Sequence, residues 1–225
     1  MVRLYIRNGA CGMEEFFKPI STENKVIVFR ACQERGSASF QELRDDLKDI
    51  ISEPTLAKQL SELVASDFLE KLFYNGGLGS RPVYRITQKA IDVLPVFEEM
   101  SGFCRKYLQM ESEDMMDCLF CVKKLLGSRW NARIVWLLYV LRSVRFNELK
   151  NSIEGISFKM LTQQLRYLED EGAILRQDFH ENPPHIEYSL TPKGEALYGI
   201  LLMVAKWNTQ YGENKSAVGT WNHMV

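Results

Sequence analysis

A mainly α-helical chain with small β-hairpin wings, built as two tandem winged helix-turn-helix domains, is the fold class predicted by this 225-residue sequence. Three observations lead there. One sequence unit occurs twice, about 106 residues apart. Within the unit the apolar spacing changes from helical to alternating and back to helical. The alternating part is short and is broken by turn-forming residues, as a hairpin requires.

The repeat shows in Ser39-Phe40-Gln41-Glu42-Leu43, echoed by Arg145-Phe146-Asn147-Glu148-Leu149. Leu56, Gln59, Leu60 and Leu63 recur as Leu161, Gln164, Leu165 and Leu168, and Tyr84, Thr87 and Lys89 recur as Tyr188, Thr191 and Lys193. Two single-residue length differences, near 48–51 and in the Gly-rich stretch 75–80, account for a drift in spacing to about 104 and read as loops. The copies are expected at 8–110 and 114–212, followed by a flexible tail at 213–225.

The second copy predicts its elements in order. Residues 114–126 form a helix stopped by Gly127, and 131–142 place Ile134, Val135, Leu138 and Leu141 at helical spacing. A short third helix follows at 146–153. Gly155 then breaks the chain, Ser157 supplies an N-cap, and a fourth helix runs to about Glu171, where Gly172 ends it. Two alternating segments, 174–180 and 186–190, flank Glu181-Asn182-Pro183-Pro184 and read as paired strands. Thr191 caps a long last helix whose first residue is Pro192, a position where the missing N–H costs nothing. Each copy is expected to end in such a helix.

Leu126-Gly127-Ser128-Arg129-Trp130, Arg145-Phe146-Asn147-Glu148-Leu149, Gly155-Ile156-Ser157, Leu161-Thr162-Gln163-Gln164-Leu165 and Glu187-Tyr188-Ser189-Leu190-Thr191-Pro192-Lys193-Gly194 resemble, in that order, the HxlR-type transcriptional regulators. The resemblance covers essentially all of the second copy. It implies a bacterial or archaeal regulator that binds double-stranded DNA, from a family whose members usually have one domain per chain and pair as homodimers through their first and last helices. This chain departs from that pattern in having two domains. Its first copy is degenerate, with Asn24 in the place of the tryptophan and Gly79-Ser80-Arg81-Pro82 in place of the diproline turn.

On a helical wheel Leu165 and Leu168 fall within about 40 degrees of Leu161, while Lys159, Gln163 and Arg166 cluster near the opposite side. One face is core; the other faces outward. Gln pairs bidentately with adenine and Arg or Lys with guanine in the major groove, so Thr162, Gln163 and Arg166 are candidate readers, with Ser157 and Lys159 beside them. A solvated polar face is the alternative. In the first copy the outward positions are Pro54, Ala57, Lys58 and Ser61, with one cation where the second copy has two. That copy is expected to hold backbone phosphate through Lys58 and Arg81, or to serve as a pairing partner. Arg176, His180 and His185 lie in or beside the second hairpin, where a wing approaches the DNA backbone.

The same two histidines beside Asp178, Glu181 and Glu187 match no recognised ligand spacing, and no metal or other cofactor is expected. Cys118-x-x-Cys121 lacks the second ligand pair of a zinc site and sits in a predicted helix rather than after a strand. Cys11 and Cys118 occupy similar places at the front of their copies. The resemblance implies redox or electrophile sensing there, and buried structural thiols are the alternative. Val93, Val96, Phe97, Met100 and Phe103, with Leu197, Leu201, Val204 and Trp207, form apolar stripes on the two final helices and suit pairing of the repeats, core packing or a ligand pocket.

Composition sets the remaining bounds. Hydrophobic residues at 46% and charged residues at 25% exclude a low-complexity or collagenous chain. No apolar run reaches the roughly 18 to 20 residues of a membrane span. The first twelve residues have no secretory apolar core, so the expected compartment is the cytoplasm. Five cysteines, an odd number, are too scattered for a disulfide scaffold. No phosphate loop, nucleophile elbow or zincin motif is present, and no enzyme is expected. A net charge of −1 supplies no overall attraction to nucleic acid, so DNA binding must rest on a local patch. Near-neutrality favours a winged-helix module for protein contacts; the outward face of the fourth helix favours a sequence-specific regulator. An intramolecular pseudo-dimer of the repeats is the expected assembly, a homodimer of tandems the alternative, and a small-molecule or redox effector the remaining partner class.

Overall fold

The computed structural model describes residues 13–73, 81–110 and 115–212. The expectations placed on Cys11, on the loop at 75–80 and on the tail at 213–225 lie outside the described residues. The chain falls into two compact units, residues 16–95 in one and the described residues at 13–15 and from Val96 onward in the other.

The first repeat runs α1 (Met13–Phe17), a 3-10 turn at Lys18–Ile20, α2 (Glu23–Arg35), β1 (Ser37–Ser39), α3 (Phe40–Leu47), α4 (Glu53–Ala65), β2 (Leu69–Phe73), β3 (Pro82–Ile86), α5 (Gln88–Ile91) and α6 (Leu94–Leu108). The second runs α7 (Met115–Leu126), α8 (Arg129–Leu141), β4 (Ser143–Arg145), α9 (Phe146–Ser152), α10 (Phe158–Asp170), β5 (Ile174–Asp178), β6 (Ile186–Leu190) and α11 (Pro192–Tyr211). The predicted helices of the second copy all form within two residues of their expected ends.

Two features depart from the sequence reading. Each wing is a three-stranded antiparallel sheet rather than a hairpin, in the orders β1-β3-β2 and β4-β6-β5. The added strands are three residues long, too short to show an alternating period, and they exist because a central strand offers its free edge. The register is the same in both repeats: Tyr84 lies between Ala38 and Lys71, and Tyr188 between Val144 and Arg176. The second departure is the last helix of the first repeat, which breaks between α5 and α6. Pro95 supplies the reason: it has no N–H to donate, and its ring would collide with the carbonyl of Ile91 in a continuous helix.

The recurring Thr and Lys tie the last helix of each repeat to the end of its fourth helix. The Thr87 hydroxyl donates to the Asp67 carbonyl at 2.7 Å and accepts from the Ala90 N–H at 3.3 Å, while the Lys89 ammonium reaches the Ser66 carbonyl at 2.8 Å. Thr191 donates to Gly172 at 2.7 Å and accepts from Gly194 at 3.2 Å, and Lys193 reaches the Glu171 carbonyl at 2.6 Å. Each Thr thus caps one helix and satisfies the carbonyl end of another. Gly194 is also a packing requirement, since a Cβ there would strike the Ala173 carbonyl.

Candidate nucleic-acid interface

The fourth helix of the second repeat, α10, is delimited at both ends by its own sequence. The Ser157 hydroxyl accepts from the Met160 N–H at 3.1 Å. At the other end Gly172 takes φ +69, and the N–H groups of Gly172 and Ala173 turn back to the carbonyls of Glu169 and Leu168, both at 2.8 Å. Leu161, Leu165 and Leu168 are buried as their spacing predicts, each stabilising the repeat by about 1.5 to 3 kcal/mol. The wheel is therefore correct about the inner face.

Lys159, Gln163 and Arg166 are exposed, and none of the three has a hydrogen bond, ion pair or ring contact among the described residues. Thr162 is half-buried and its hydroxyl donates to the Phe158 carbonyl at 2.9 Å, which leaves its oxygen available only as an acceptor. Beside this face runs a cavity of about 320 Å³ between α10 and the wing, walled by Phe146, Thr162, Arg166, Glu169 and Arg176. Arg166 and Arg176 thus stand on one groove, with Glu169 as its acidic member.

The wing residues are more constrained than sequence reasoning anticipates. Arg176 lies 3.6 Å from Asp178. His180, after the end of β5 at φ +53, donates its backbone N–H to Asp178 at 2.9 Å and keeps its ring exposed. That N–H, then the charges of His180 and Arg176, holds the Asp178 carboxyl below its ordinary range. His185 is clamped: its Nδ1 is 2.8 Å from Glu181 and its Nε2 2.7 Å from Glu187, and its ring stacks on Phe179 at 4.4 Å. Hydrogen bonds to Glu187 and then Glu181 raise its pKa; Glu187 is lowered by the Ser143 hydroxyl and then by His185. Glu181 and Glu187 neighbour His185 in the sequence, but their closure on its ring and the Ser143 hydroxyl brought in from β4 are seen only in the fold.

In the first repeat Pro54, Ala57, Lys58 and Ser61 are exposed on α4 as expected. Lys58 is 3.9 Å from Glu62, which also binds Lys25 at 2.9 Å, so its charge is partly answered within the protein. Arg81 is exposed just before β3, while Arg85 pairs with Glu70 at 2.8 Å. Cys118 is buried on α7, its carbonyl 3.7 Å from the Cys104 thiol. Burial pushes the Cys104 pKa up to about 12 and raises that of Cys121, whose thiol lies 3.7 Å from the Met110 sulfur. Among the described residues no group of three or more His, Cys, Asp or Glu side chains is arranged to hold a metal ion. The nine stripe residues of the final helices are all buried.

Sequence reasoning missed Phe158, which is exposed at the start of α10, and the neighbours it contacts, Phe146 and Lys150. The available signal was its place directly after the Ser157 cap, at the border of the apolar stripe.

Helices bordered by a three-stranded wing in each repeat define the winged helix-turn-helix fold class. The chain belongs to the HxlR-like helix-turn-helix family, whose model matches twice, at residues 20–112 and 125–216. The two matches establish the tandem duplication, and family membership puts the chain among regulators rather than enzymes. It is similar to the uncharacterized HTH-type transcriptional regulators YvaP of Bacillus subtilis, 41% identical over 39% of this chain and 80% of that protein, and YtfH of Escherichia coli, 42% identical over 38% and 68%. Among solved structures it is similar to the reduced form of the transcriptional regulator YodB from B. subtilis, with 35% identity, coverage of 46% of this chain and 97% of that one, and a TM-score of 0.40. No helix among the described residues is long and apolar enough to cross a membrane.

Proposed function

We propose that the protein is a sequence-specific regulator of transcription that acts in the cytoplasm and reads duplex DNA with α10 of its second repeat. One observation supports this above the others: Lys159, Gln163 and Arg166 share an exposed helix face and have no partner among the described residues. Here they are left able to contact base edges, with Arg176 of β5 across the groove for the phosphate backbone. Ser157 caps α10, His180 and His185 belong to the wing, and His185 acts by shaping the wing through its carboxylate partners.

The first repeat has a positioning role. Lys58 and Arg81 contact phosphate without selecting sequence, and the two repeats together serve as an intramolecular pseudo-dimer in place of two separate chains. Cys118 sits too deep for direct attack by an oxidant, and a structural thiol is the role its burial supports.

The test is a mobility-shift titration of the full chain on its own upstream DNA at several salt concentrations. Specific binding that weakens steeply with salt is expected. Arg166→Ala and Gln163→Ala should each cost about 1 to 3 kcal/mol of specific affinity, and Lys58→Ala less, without base preference. If low salt brings no binding to specific or random duplex, the reading fails, and a protein-contact module replaces it.

A further inference from the structure

The outward side of α10 has one apolar member. Phe158 is the first residue of the helix and is 61% exposed, an uncommon state for an aromatic side chain of this size. It is held in place. Its ring lies 5.6 Å from that of Phe146 with an interplanar angle of 27°, and the Lys150 ammonium stands 5.6 Å from its centroid. The ring is thus backed by a second aromatic and flanked by a cation. Its wheel position, about 60 degrees from Leu161, continues the row formed at four-residue steps by Thr162 and Arg166.

We propose that Phe158 is a specificity-determining residue of the second repeat and that it reads the C5-methyl group of a thymine in the major groove. The inference rests on the DNA-binding reading given above. Residues at the start of a recognition helix reach base edges. In the major groove the methyl group is what marks thymine for an apolar side chain, and Phe is suited to that contact. Along the row the chemistry changes from apolar at Phe158, through the Thr162 oxygen, to cationic at Arg166. Lys150, beside the ring, supplies a charge for the phosphate of the same stretch of backbone. The first repeat has Glu53 in the equivalent place, exposed at the start of α4, where a carboxylate would repel DNA. The aromatic contact therefore belongs to the repeat that also has the unpartnered polar readers.

The experiment uses the full chain to select binding duplexes from a randomised pool. The selected duplex is then rebuilt with deoxyuridine replacing each thymidine in turn, which removes only the methyl group. At one position the wild-type chain is expected to lose about fourfold in affinity, the worth of one buried methyl group. Phe158→Ala should bind the thymine and uracil forms of that position equally, and Phe158→Leu should keep part of the difference. Wild-type affinity that no uracil changes overturns the proposal while leaving the DNA reading intact, as does Phe158→Ala with undiminished discrimination. Failure to select or bind any duplex overturns both. Circular dichroism checks that Phe158→Ala folds; if it does not, the uracil scan of the wild type and of Phe158→Leu decides alone.

Discussion

Left-handed backbone conformations show how single residues were exchanged after duplication. The chain takes positive φ after both α2 and α4 of the first repeat, at Gly36 and Asp67, and after α8 and α10 of the second, at Arg142 and Gly172. Each repeat thus uses glycine at one of its two sites and an L side chain at the other. A Cβ on Gly172 would meet nothing within 4 Å, so the cost of substitution there is purely conformational. Gly172→Ala is expected to lower stability by about 1 to 2 kcal/mol, and Gly172→Asp by less, since Asp tolerates this region as it does at position 67. Urea unfolding midpoints check the order.

His185 makes a second residue-scale prediction. Its pKa is raised by Glu187 and Glu181 from an ordinary 6.5. A group raised on folding adds stability that is complete below its unfolded pKa and disappears as pH climbs through the folded one. Replacing it by Gln should therefore lower the thermal midpoint more at pH 6 than at pH 9. The lowered pKa of Glu187 works in the other sense: its contribution is present above 4.5, its ordinary value, and is lost as pH falls through the folded one. The difference between wild type and His185→Gln is thus widest between these two windows. A proton NMR titration of the His185 ring should give a pKa above 6.5; a value at or below it contradicts the clamp.

At the scale of elements, the Thr and Lys that tie last helix to fourth helix account for the part of the repeat that survived divergence most legibly. Thr191→Ala removes both a cap and a hydrogen bond to Gly172, with an expected loss of about 1 to 2 kcal/mol, and Thr87→Ala should have the same effect in the first repeat. Hydrogen exchange at Gly194 and Ala90 would locate the loss at the helix starts. The helices of the second repeat were readable because Ser157, Gly172, Thr191 and Pro192 are local signals acting on their own segments. Strands of three residues, such as Ser143–Arg145, were not, because only pairing with β6 makes them strands. The end of α8 was legible to within a residue, but nothing in an arginine announces the positive φ that Arg142 takes there. Of the candidate interface, the exposed polar face of α10 was legible from the wheel. The Phe146–Phe158 stack and the Ser143 hydroxyl on Glu187 were not, since each joins residues from different elements.

For the whole molecule, the difference between the two repeats should appear in the DNA. The fourth helix of the second repeat presents Lys159, Gln163 and Arg166, whereas that of the first presents Pro54, Ala57, Ser61 and a partly paired Lys58. Hydroxyl-radical footprinting is expected to show an asymmetric site. Mutations of single base pairs should cost about 1 to 3 kcal/mol in one half and much less in the other. A palindromic footprint with equal sensitivity would instead indicate that two chains each place their second repeat on the DNA. Light scattering of the DNA-free chain separates the same alternatives, with the mass of one chain expected and the mass of two contradicting the pseudo-dimer.

The break before Pro95 bears on how such a gene can be divided. Sequence similarity invites a cut between the repeats, near residue 113, yet α6 groups with the described residues of the second compact unit, and its Cys104 thiol lies against α7. A fragment that starts at the repeat boundary would lack α6 and uncover the side of α7 that receives this thiol. One that starts at Leu94 keeps α6 with α7 and begins where the backbone already lacks a continuous helix. The sequence repeat and the compact unit thus have different borders in this chain, about twenty residues apart.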